Sequence, residues 1–305
     1  MDLMNSTQRI KEKARQLGFE LVGIAPATPT PDYTHFLRWL DQGHAGTMAY
    51  LQRGTGKRGN LELILPGVRS IICCALNYYT GDSLTPNPSP DIIARYAWGE
   101  DYHEVMGKKM QQLETFIHQE IDPTAATKSY VDTGPILERA HAAQAGLGWI
   151  GKNSCLINNG LGSYIFLGEI LTTLELDHDR PTYDQCGTCT KCLDSCPTGA
   201  LVAPYQLDSR KCISYLTIEY RGDFDATQSK MVGDHLYGCD ICQEVCPYND
   251  RIPVTPLPEF QPRPALLQSK KVASESEFKE LIKGSAMDRI KFSQWVRNQE
   301  ALKKS

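Results

Sequence analysis

The sequence has no long hydrophobic run and only a small net charge. Its 36 acidic and 32 basic side chains give a formal net charge of −4, so the whole chain is not a polycation and a nucleic-acid partner needs a local basic face. No stretch approaches the ~18 apolar residues that cross a bilayer. The start of the chain lacks the apolar core of a secretion signal and predicts an amphipathic helix. We therefore expect a cytoplasmic protein.

The 305 residues show an ordinary globular composition, with 41% hydrophobic and 22% charged side chains. Helical and strand patterns alternate through the first part of the chain: Ser70–Tyr79 predicts a buried strand and Asp101–Ile121 a helix. This alternation predicts an α/β core over residues 1–180. Short cysteine-rich segments follow over residues 181–252. Residues 253–305 predict a proline-rich connector and basic helices, and Ser274 and Glu277 form a possible capping box.

Eleven cysteines carry the strongest chemical signal in the sequence. The first group has the spacing C-x2-C-x2-C-x3-C-P, by which bacterial ferredoxins bind [4Fe–4S] clusters. A second group is followed by Pro247, and its missing first member is most simply Cys212. In two-cluster ferredoxins, the last cysteine of each group binds the other cluster. The predicted ligands are Cys186, Cys189, Cys192 and Cys246 for one cluster, and Cys196, Cys212, Cys239 and Cys242 for the other.

Zinc binding and simple electron carriage are alternative roles for the cysteines. Paired C-x2-C motifs also form tetrahedral zinc sites, which would make the chain a zinc-stabilised RNA-binding protein. A ferredoxin-type electron carrier would need only the cysteine module, whereas about 180 residues precede it here. That long first part favours a redox enzyme with an active site in the α/β core. Cys73, Cys74 and Cys155 are predicted to be structural.

Several longer motifs resemble one family, the epoxyqueuosine reductases, over nearly the whole chain. They include V-D-T-G-P-I-L-E-R at Val131–Arg139, A-G-L-G-W-I-G-K-N at Ala145–Asn153 and G-S-Y-I-F-L-G-E-I at Gly162–Ile170. The cysteine segment G-C-D-I-C-Q-E-V-C-P at Gly238–Pro247 also matches. The family is similar to the reductive dehalogenases. A corrinoid reductase of a small molecule is therefore a further alternative.

The resemblance implies the fold and the chemistry. The expected fold is an α/β (α+β) nitroreductase-like core that binds cobalamin, with an inserted ferredoxin-like module holding two [4Fe–4S] clusters and a short C-terminal helical region. The expected reaction reduces epoxyqueuosine to queuosine at the wobble position of tRNA, the last step of queuosine biosynthesis. Electrons would come from an external low-potential donor and pass through the clusters to cobalamin. We expect a monomer.

The resemblance also implies that Asp132, in V-D-T-G-P, is the proton donor. Asp132 follows a predicted strand, and covered by a corrin its carboxyl would have a raised pKa. The alternative is that Asp132 caps a helix beginning near Ile136. The segment Asp101-Tyr102-His103 with Gly107 is one residue longer than the D-x-H-x2-G motif of His-ligated cobalamin domains. We therefore expect base-off cobalamin without a protein histidine, and a surface or structural role for His103.

The remaining predicted contacts fall into two groups, in which each residue could also be an ordinary loop residue. The cobalamin contacts implied by the resemblance, by nearness to the cluster ligands or by a position in glycine-rich loops are Arg58, Tyr96, Asp132, Lys152, Asn153, Ser163, Ser214 and Asp240. The RNA contacts are Lys211 and Arg221. Residues 261–305 hold ten basic and five acidic side chains, a net charge of +5, which suits an RNA-facing region or a solvated helix face.

Overall fold

The computed structural model of the protein describes residues 5–81, 91–267 and 272–302. The helices are α1 Ser6–Gln16, α2 Asp32–Asp41, α3 Ala49–Arg53, α4 Thr55–Gly59, α5 Tyr102–Phe116, α6 Glu138–Gln144, α7 Lys191–Asp194, α8 Ala226–Val232, α9 Ile241–Glu244, α10 Pro264–Leu267, α11 Glu275–Ile282 and α12 Phe292–Leu302. The strands are β1 Leu21–Pro26, β2 Ser70–Asn77, β3 Ile92–Ile93, β4 Thr127–Tyr130, β5 Trp149–Ile150, β6 Leu156–Ile157, β7 Ile165–Thr172, β8 Leu201–Ala203, β9 Gln206–Leu207 and β10 His235–Tyr237.

The main sheet has four strands in the order β1-β2-β7-β4. Every neighbouring pair is antiparallel, and Cys73 of β2 lies opposite Gly23 of β1 and Glu169 of β7. The core is therefore of the α+β kind, and the plain α/β expectation for residues 1–180 is corrected. Alternation of helices and strands along the chain predicts parallel strands only where a single crossover helix joins neighbouring strands. Here β2 and β7 are neighbours that are joined by a much longer connection, and they pair antiparallel.

Strand β2 is buried along its whole length, which confirms the predicted buried strand. Its alternate residues enter two apolar layers. Ile72 and Cys74 pack in the layer that contains residues of α1 and α5. Ile71 and Cys73 pack in the layer that contains residues of α6. Each buried isoleucine contributes about 1.5–3 kcal/mol by removal of apolar surface from water. Because β2 supplies buried side chains to both layers, it lies at the centre of the core.

Polar side chains begin several of the described helices. Asn5 accepts a hydrogen bond from the backbone of Gln8 at the start of α1, and Asp101 accepts one from His103 at the start of α5. Ser274 accepts the N–H of Glu277, which confirms the predicted start of α11. The Glu277 carboxylate accepts from the backbone N–H of residue 273 and not from Ser274, so the capping box is displaced by one residue. In the described ranges, every helix is too short or too polar to cross a bilayer.

The proline-rich connector is tied to the sheet. The N–H of Thr255 donates to the carbonyl oxygen of Tyr79 at 2.7 Å, and the Asn77 side chain donates to the carbonyl oxygen of Pro253 at 2.8 Å. Farther along, the Phe260 ring lies 5.0 Å from the Phe166 ring of β7. Beyond the connector, α11 and α12 bury Phe278, Trp295 and their neighbours in a separate apolar cluster with residues of β3 and β10.

Candidate active site and cluster-binding cysteines

The four cysteines predicted to bind one cluster line a single cavity. Its wall contains Cys186, Cys189, Cys192 and Cys246, together with Lys152. The Lys152 ammonium donates to the backbone carbonyls of residues 187 and 189, at 2.6 and 2.9 Å, and so holds the loop that carries the first cysteines. Cys246 comes from the second motif, after α9. The two motifs therefore meet in the manner of the crossover assignment.

The other four predicted ligands affect one another's pKa values, which shows that their thiols lie close together. Burial and the adjacent thiol of Cys196 raise the pKa of Cys212, although nearby backbone N–H groups oppose this. Burial raises the pKa of Cys239 to about 12, with contributions from Asp240, Cys212 and Cys196. Hydrogen bonding to Cys155, burial and the charges of Cys155, Cys239 and Cys212 raise the pKa of Cys242. A thiol bound to iron is deprotonated outright, so these pKa shifts do not describe the iron-bound state. They do show that the sulfur atoms lie close together.

The donor set suits two iron–sulfur clusters. Each group offers four thiols, and a [4Fe–4S] cluster is held by four cysteine thiolates. In the part of the chain that the structure describes, no three His, Cys, Asp or Glu side chains come together closely enough to hold a single metal ion. A cubic cluster spreads its thiolates over separate irons and does not require that convergence.

Cys155 lies beside the second group, where the sequence indicated only a structural role. A hydrogen bond with Cys242 lowers the pKa of Cys155 although burial opposes it. Its N–H donates to the Asn153 side chain at 3.1 Å. Cys73 and Cys74, by contrast, are fully buried in β2, and burial raises the pKa of both thiols, as expected for structural cysteines.

Asp132 lies two residues beyond the end of β4, in a left-handed backbone conformation with φ 57°. Its N–H donates to Glu138 Oε1 at 2.7 Å. Its Oδ2 lies 3.5 Å from His103 Nε2, and about half of the side chain is exposed. Helix α6 begins after Leu137 without a side-chain cap. The alternative in which Asp132 caps this helix is therefore wrong.

The expected rise in the pKa of Asp132 is not found in this arrangement. Burial raises that pKa, but the hydrogen bond and charge of His103, the charge of Arg289 and a hydrogen bond from Tyr102 outweigh it, so the pKa of Asp132 is lowered. The prediction was made for a carboxyl covered by a corrin, and it did not include His103, Arg289 and Tyr102 as neighbours. The raised pKa belongs to Glu138, where burial and the negative charge of Asp132 bring it to about 8.

His103 lies beside Asp132, a contact that sequence reasoning missed. Its Nδ1 lies 2.7 Å from Asp101 Oδ1 and its Nε2 faces Asp132. Burial lowers the pKa of His103, but hydrogen bonds to the two aspartates and their charges raise it to about 9. Asp101 and His103 stand two residues apart at the start of a helix, so their contact could have been predicted from the sequence. The contact of His103 with Asp132, 29 residues farther along the chain, could not.

Arg58 and Tyr96 also lie in the surroundings of Asp132. Arg58 is buried, and its side chain is close enough to Glu138 for the Glu138 charge to affect its pKa, which burial lowers. Burial raises the pKa of Tyr96, with a contribution from Asp132. A Cβ built on Gly238 would lie 3.6 Å from the Tyr96 ring, so Tyr96 lies between the Asp132 region and the loop before Cys239.

The other predicted cofactor contacts lie on the cluster loops. Asn153 donates to the carbonyl oxygen of Cys242 at 3.1 Å, and Ser163 accepts hydrogen bonds from Gln243 and Asn249. Asp240 is buried and accepts the N–H of Arg95 at 2.7 Å, and burial raises its pKa to about 6. Ser214 hydrogen-bonds to Cys212. These residues, with Lys152, organise the backbone around the thiols.

The two predicted RNA contacts differ in their surroundings. Lys211 is exposed on a 3-10 turn before Cys212. The Arg221 guanidinium donates to the Gln294 side chain and to the carbonyl oxygen of Arg289, so it also joins the cluster module to α12. Four basic residues of the C-terminal region lie outside the described residues: Lys270, Lys271, Lys303 and Lys304.

Comparisons with known proteins match both parts of this site. Residues 185–249 match the model of a 4Fe-4S double cluster binding domain, and residues 58–133 match that of "Epoxyqueuosine reductase QueG, DUF1730". A protein from Pseudomonas aeruginosa named epoxyqueuosine reductase is 41% identical over 301 residues, which cover 95% of this chain and 83% of that protein. The chain belongs to the epoxyqueuosine reductase family.

Other members of the epoxyqueuosine reductase family agree in sequence and in structure. The relative from Gloeobacter violaceus is 43% identical, with 95% of this chain and 93% of that protein covered. A crystal structure of an epoxyqueuosine reductase with an epoxyqueuosine-modified tRNA-Tyr stem loop superposes with a TM-score of 0.86 at 34% identity, covering 97% of this chain and 80% of that one. A Bacillus subtilis structure with its catalytic loop swung out of the active site gives 0.84 at 33%, with the same coverage.

Proposed function

We propose that this chain reduces epoxyqueuosine to queuosine at the wobble position of tRNA. The observation that carries the proposal is that the similarity to named epoxyqueuosine reductases covers 95% of the chain, from the Asp132 loop through both groups of cysteines. A relative of known structure holds an epoxyqueuosine-modified stem loop. The substrate assigned to this chain is therefore a tRNA anticodon loop, and action on tRNA would put the enzyme in the cytoplasm.

The iron–sulfur clusters and a cobalamin, when bound, would supply the two electrons of the reduction. Cys186, Cys189, Cys192 and Cys246 would hold one cluster, and Cys196, Cys212, Cys239 and Cys242 the other. The cavity lined by the first four thiols and the mutual pKa effects of the second four support this assignment. An external low-potential protein would reduce the clusters, and the enzyme would act as a monomer.

The cobalamin would be base-off and without a protein histidine ligand. Both ring nitrogens of His103 face aspartates, which supports this part of the proposal because neither nitrogen is left for cobalt. Arg58, Tyr96 and Asp132 would contact the cofactor from the core. Lys152, Asn153, Ser163, Ser214 and Asp240 would contact it from the side of the clusters. The core over residues 1–180 would be nitroreductase-like, with the cluster module over 181–252 and the C-terminal region over 253–305.

Asp132 would give the departing oxygen its proton. The exposed half of its side chain is the part that a substrate can reach, while Glu138 fixes the backbone N–H and His103 faces the other side of the carboxyl. The left-handed conformation, which costs a non-glycine residue about 1–3 kcal/mol, is typical of residues held for function. Lys211 and Arg221 would contact phosphates of the tRNA.

The experiment is an anaerobic assay on tRNA that contains epoxyqueuosine, with queuosine measured by mass spectrometry of the digested nucleosides. Wild type should form queuosine with a chemical reductant and added cobalamin. Asp132→Asn should lose roughly 10²–10⁴-fold in rate, the usual contribution of a general acid. The control is Glu120→Gln, which removes an exposed carboxylate on the turn after α5. No queuosine from the wild type would exclude the function; equal rates in Asp132→Asn would exclude the role of Asp132.

A further inference from the structure

The proposed reaction consumes two protons, whereas one carboxyl carries one. Removal of an epoxide oxygen as water breaks two C–O bonds, forms one C=C bond and two O–H bonds, and takes up two electrons and two protons. The low-potential donor supplies the electrons. Asp132 can deliver a single proton before it must be recharged, so a second protonated group is needed next to it.

His103 is built into a fixed position at the start of α5. Asp101 Oδ1 accepts both the backbone N–H of His103 at 3.0 Å and a hydrogen bond from ring Nδ1 at 2.7 Å. The Tyr102 ring stacks on the imidazole with the centroids 4.1 Å apart. These contacts aim Nε2 at Asp132 Oδ2, 3.5 Å away. The imidazole is 27% exposed, but Nε2 itself is buried and faces only the Asp132 side.

We propose that His103 is the proton-relay residue that recharges Asp132 in each turnover, with Asp101 as the residue that orients it. The inference rests on the proposed function and deepens it. Two other acids lie beside the loop. Glu138 Oε1 is engaged with the backbone N–H of Asp132, and burial together with the charges of Asp132 and Glu138 raises the pKa of the Tyr102 phenol, which makes it a weaker acid. His103 faces the Asp132 carboxyl itself.

The proton movements balance over one turnover. Before substrate binds, His103 is an imidazolium and Asp132 a carboxylate. When bound groups cover the exposed half of Asp132, loss of water favours the neutral pair, and the Nε2 proton passes to Oδ2. Asp132 gives that proton to the departing oxygen and becomes a carboxylate again. Neutral His103 keeps its Nδ1–H toward Asp101, and its Nε2 is buried against Asp132. Two protons from water therefore enter at the exposed half of Asp132: one forms the second O–H bond, and the other returns to Nε2 and restores the imidazolium.

Several other titratable groups face this pair from the surrounding elements. Asp101 stands at the start of α5 and Glu138 on α6. Arg289, on the turn before α12, and the hydroxyls of Tyr50 and Tyr102 also act on Asp132 or are acted on by it. Together with His103 they give the site both signs of charge, and the aspartates on either side of the ring raise the pKa of His103 to about 9.

The first test is the pH dependence of queuosine formation under single-turnover conditions. His103→Gln should lower the rate roughly 10²-fold, the lower end of the range for proton transfer by a positioned side chain, and should abolish the alkaline limb that we expect in wild type near pH 9. Free imidazole should restore part of the rate in His103→Gly. The matched control is His118→Gln, whose ring hydrogen-bonds to Thr127 near the far end of α5 and whose loss should change neither rate nor profile.

The second test does not depend on activity. Infrared spectra of the holoenzyme labelled with ring-¹³C histidine, corrected with His103→Gln, report the protonation of His103. The midpoint should lie near pH 9 in wild type and at lower pH in Asp132→Asn and Asp101→Asn, which also shift the alkaline limb of the rate if they retain activity. If His103→Gln loses iron or unfolds, Asp101→Asn keeps the ring and decides the matter by that shift.

The two failures can be told apart. A wild-type enzyme that makes queuosine, with His103→Gln equal in rate and profile, would overturn the relay and leave the proposed function intact. A His103 midpoint that does not move in Asp101→Asn and Asp132→Asn would also overturn it. A wild-type enzyme that makes no queuosine would remove the proposed function, whatever the infrared titration gives.

Discussion

At the scale of single residues, Glu169 is the least compensated group in the core. It lies in β7 between Cys73 and Tyr130, is fully buried, and within the described structure neither of its carboxyl oxygens has a hydrogen-bond partner. Burial and the negative charges of Glu138 and Asp132 raise its pKa far above the ordinary value of 4.5. Burial in the folded protein therefore favours the protonated form of Glu169.

The raised pKa of Glu169 makes stability depend on pH. The folded state keeps a proton that the unfolded state releases above about pH 4.5, so the stability is fully present below that pH and is lost as pH rises toward the folded pKa. Glu169→Gln should remove this loss. Relative to wild type, we expect little change at pH 5 and a gain of about 1–3 kcal/mol at pH 8.

Thermal unfolding of the anaerobic holoenzyme between pH 5 and 8.5 measures the effect of Glu169→Gln. Glu175→Gln is the control, because Glu175 lies just after β7 and is 79% exposed. A pH dependence that is the same in wild type and Glu169→Gln would mean that Glu169 is ionised in the folded protein or hydrated in solution.

A second prediction at the scale of single residues concerns which of the cysteines bind iron. Cys212→Ser should reduce the iron content from about eight atoms to about four, because a four-cysteine cluster loses one ligand. Cys155→Ser should retain about eight, although Cys155 touches Cys242. Iron analysis and the visible spectrum of anaerobically purified protein measure both. Full iron in Cys212→Ser together with a loss in Cys155→Ser would exchange the two residues in the ligand assignment.

At the scale of elements, two glycines make a matched comparison. A Cβ on Gly23 of β1 would lie 2.1 Å from the carbonyl oxygen of Ala145, just after α6, whereas a Cβ on Gly107 of α5 would meet nothing within 4 Å. Gly23→Ala should therefore force the sheet and α6 apart and cost about 1–3 kcal/mol. Gly107→Ala should stabilise the helix by about 0.5–1 kcal/mol.

Thermal unfolding of the two alanine variants, each with full iron content, checks the predicted signs. A stable Gly23→Ala would mean that α6 moves freely on the sheet. A destabilised Gly107→Ala would mean that the start of α5 does not tolerate a methyl group where the structure shows open space.

The elements also show what sequence can and cannot predict here. Strand β2 and helix α5 were readable because an unbroken apolar run and a helical repeat of Met106, Met110 and Leu113 are local signals. The direction of the strands was not, because it depends on how distant segments pair. The spacing of Cys186 to Cys196 identified the cluster chemistry. The contact of His103 with Asp132 joins the start of α5 to the loop after β4 and leaves no local pattern, so the lowering effect of His103 on the pKa of Asp132 could not be read from the sequence.

At the scale of the whole molecule, the charge is distributed unevenly, with a net charge of +5 over residues 261–305. The proposed RNA contacts can be tested by the salt dependence of the affinity for tRNA. Lys211→Ala should weaken tRNA binding and reduce the slope of log affinity against log salt by about 1, without a change in thermal stability, because Lys211 is exposed. Arg221→Ala should weaken binding and also lower the melting temperature, since Arg221 bonds to Gln294 and Arg289.

Fluorescence anisotropy with a labelled anticodon stem loop at several salt concentrations measures the two slopes. Lys279→Ala is the control for loss of one exposed positive charge, because Lys279 pairs with Glu275 on α11. An unchanged salt slope in Lys211→Ala would place the phosphate backbone elsewhere on the surface.

The contact between Phe260 and Phe166 has a consequence for biogenesis. A ribosome releases the chain from the N-terminus, so the apolar layer beside β7 cannot be completed until residue 260 has emerged from the exit tunnel. By then all eight ligand cysteines have been synthesised. All the predicted iron ligands are therefore present in a newly made chain before the core around Phe166 can close.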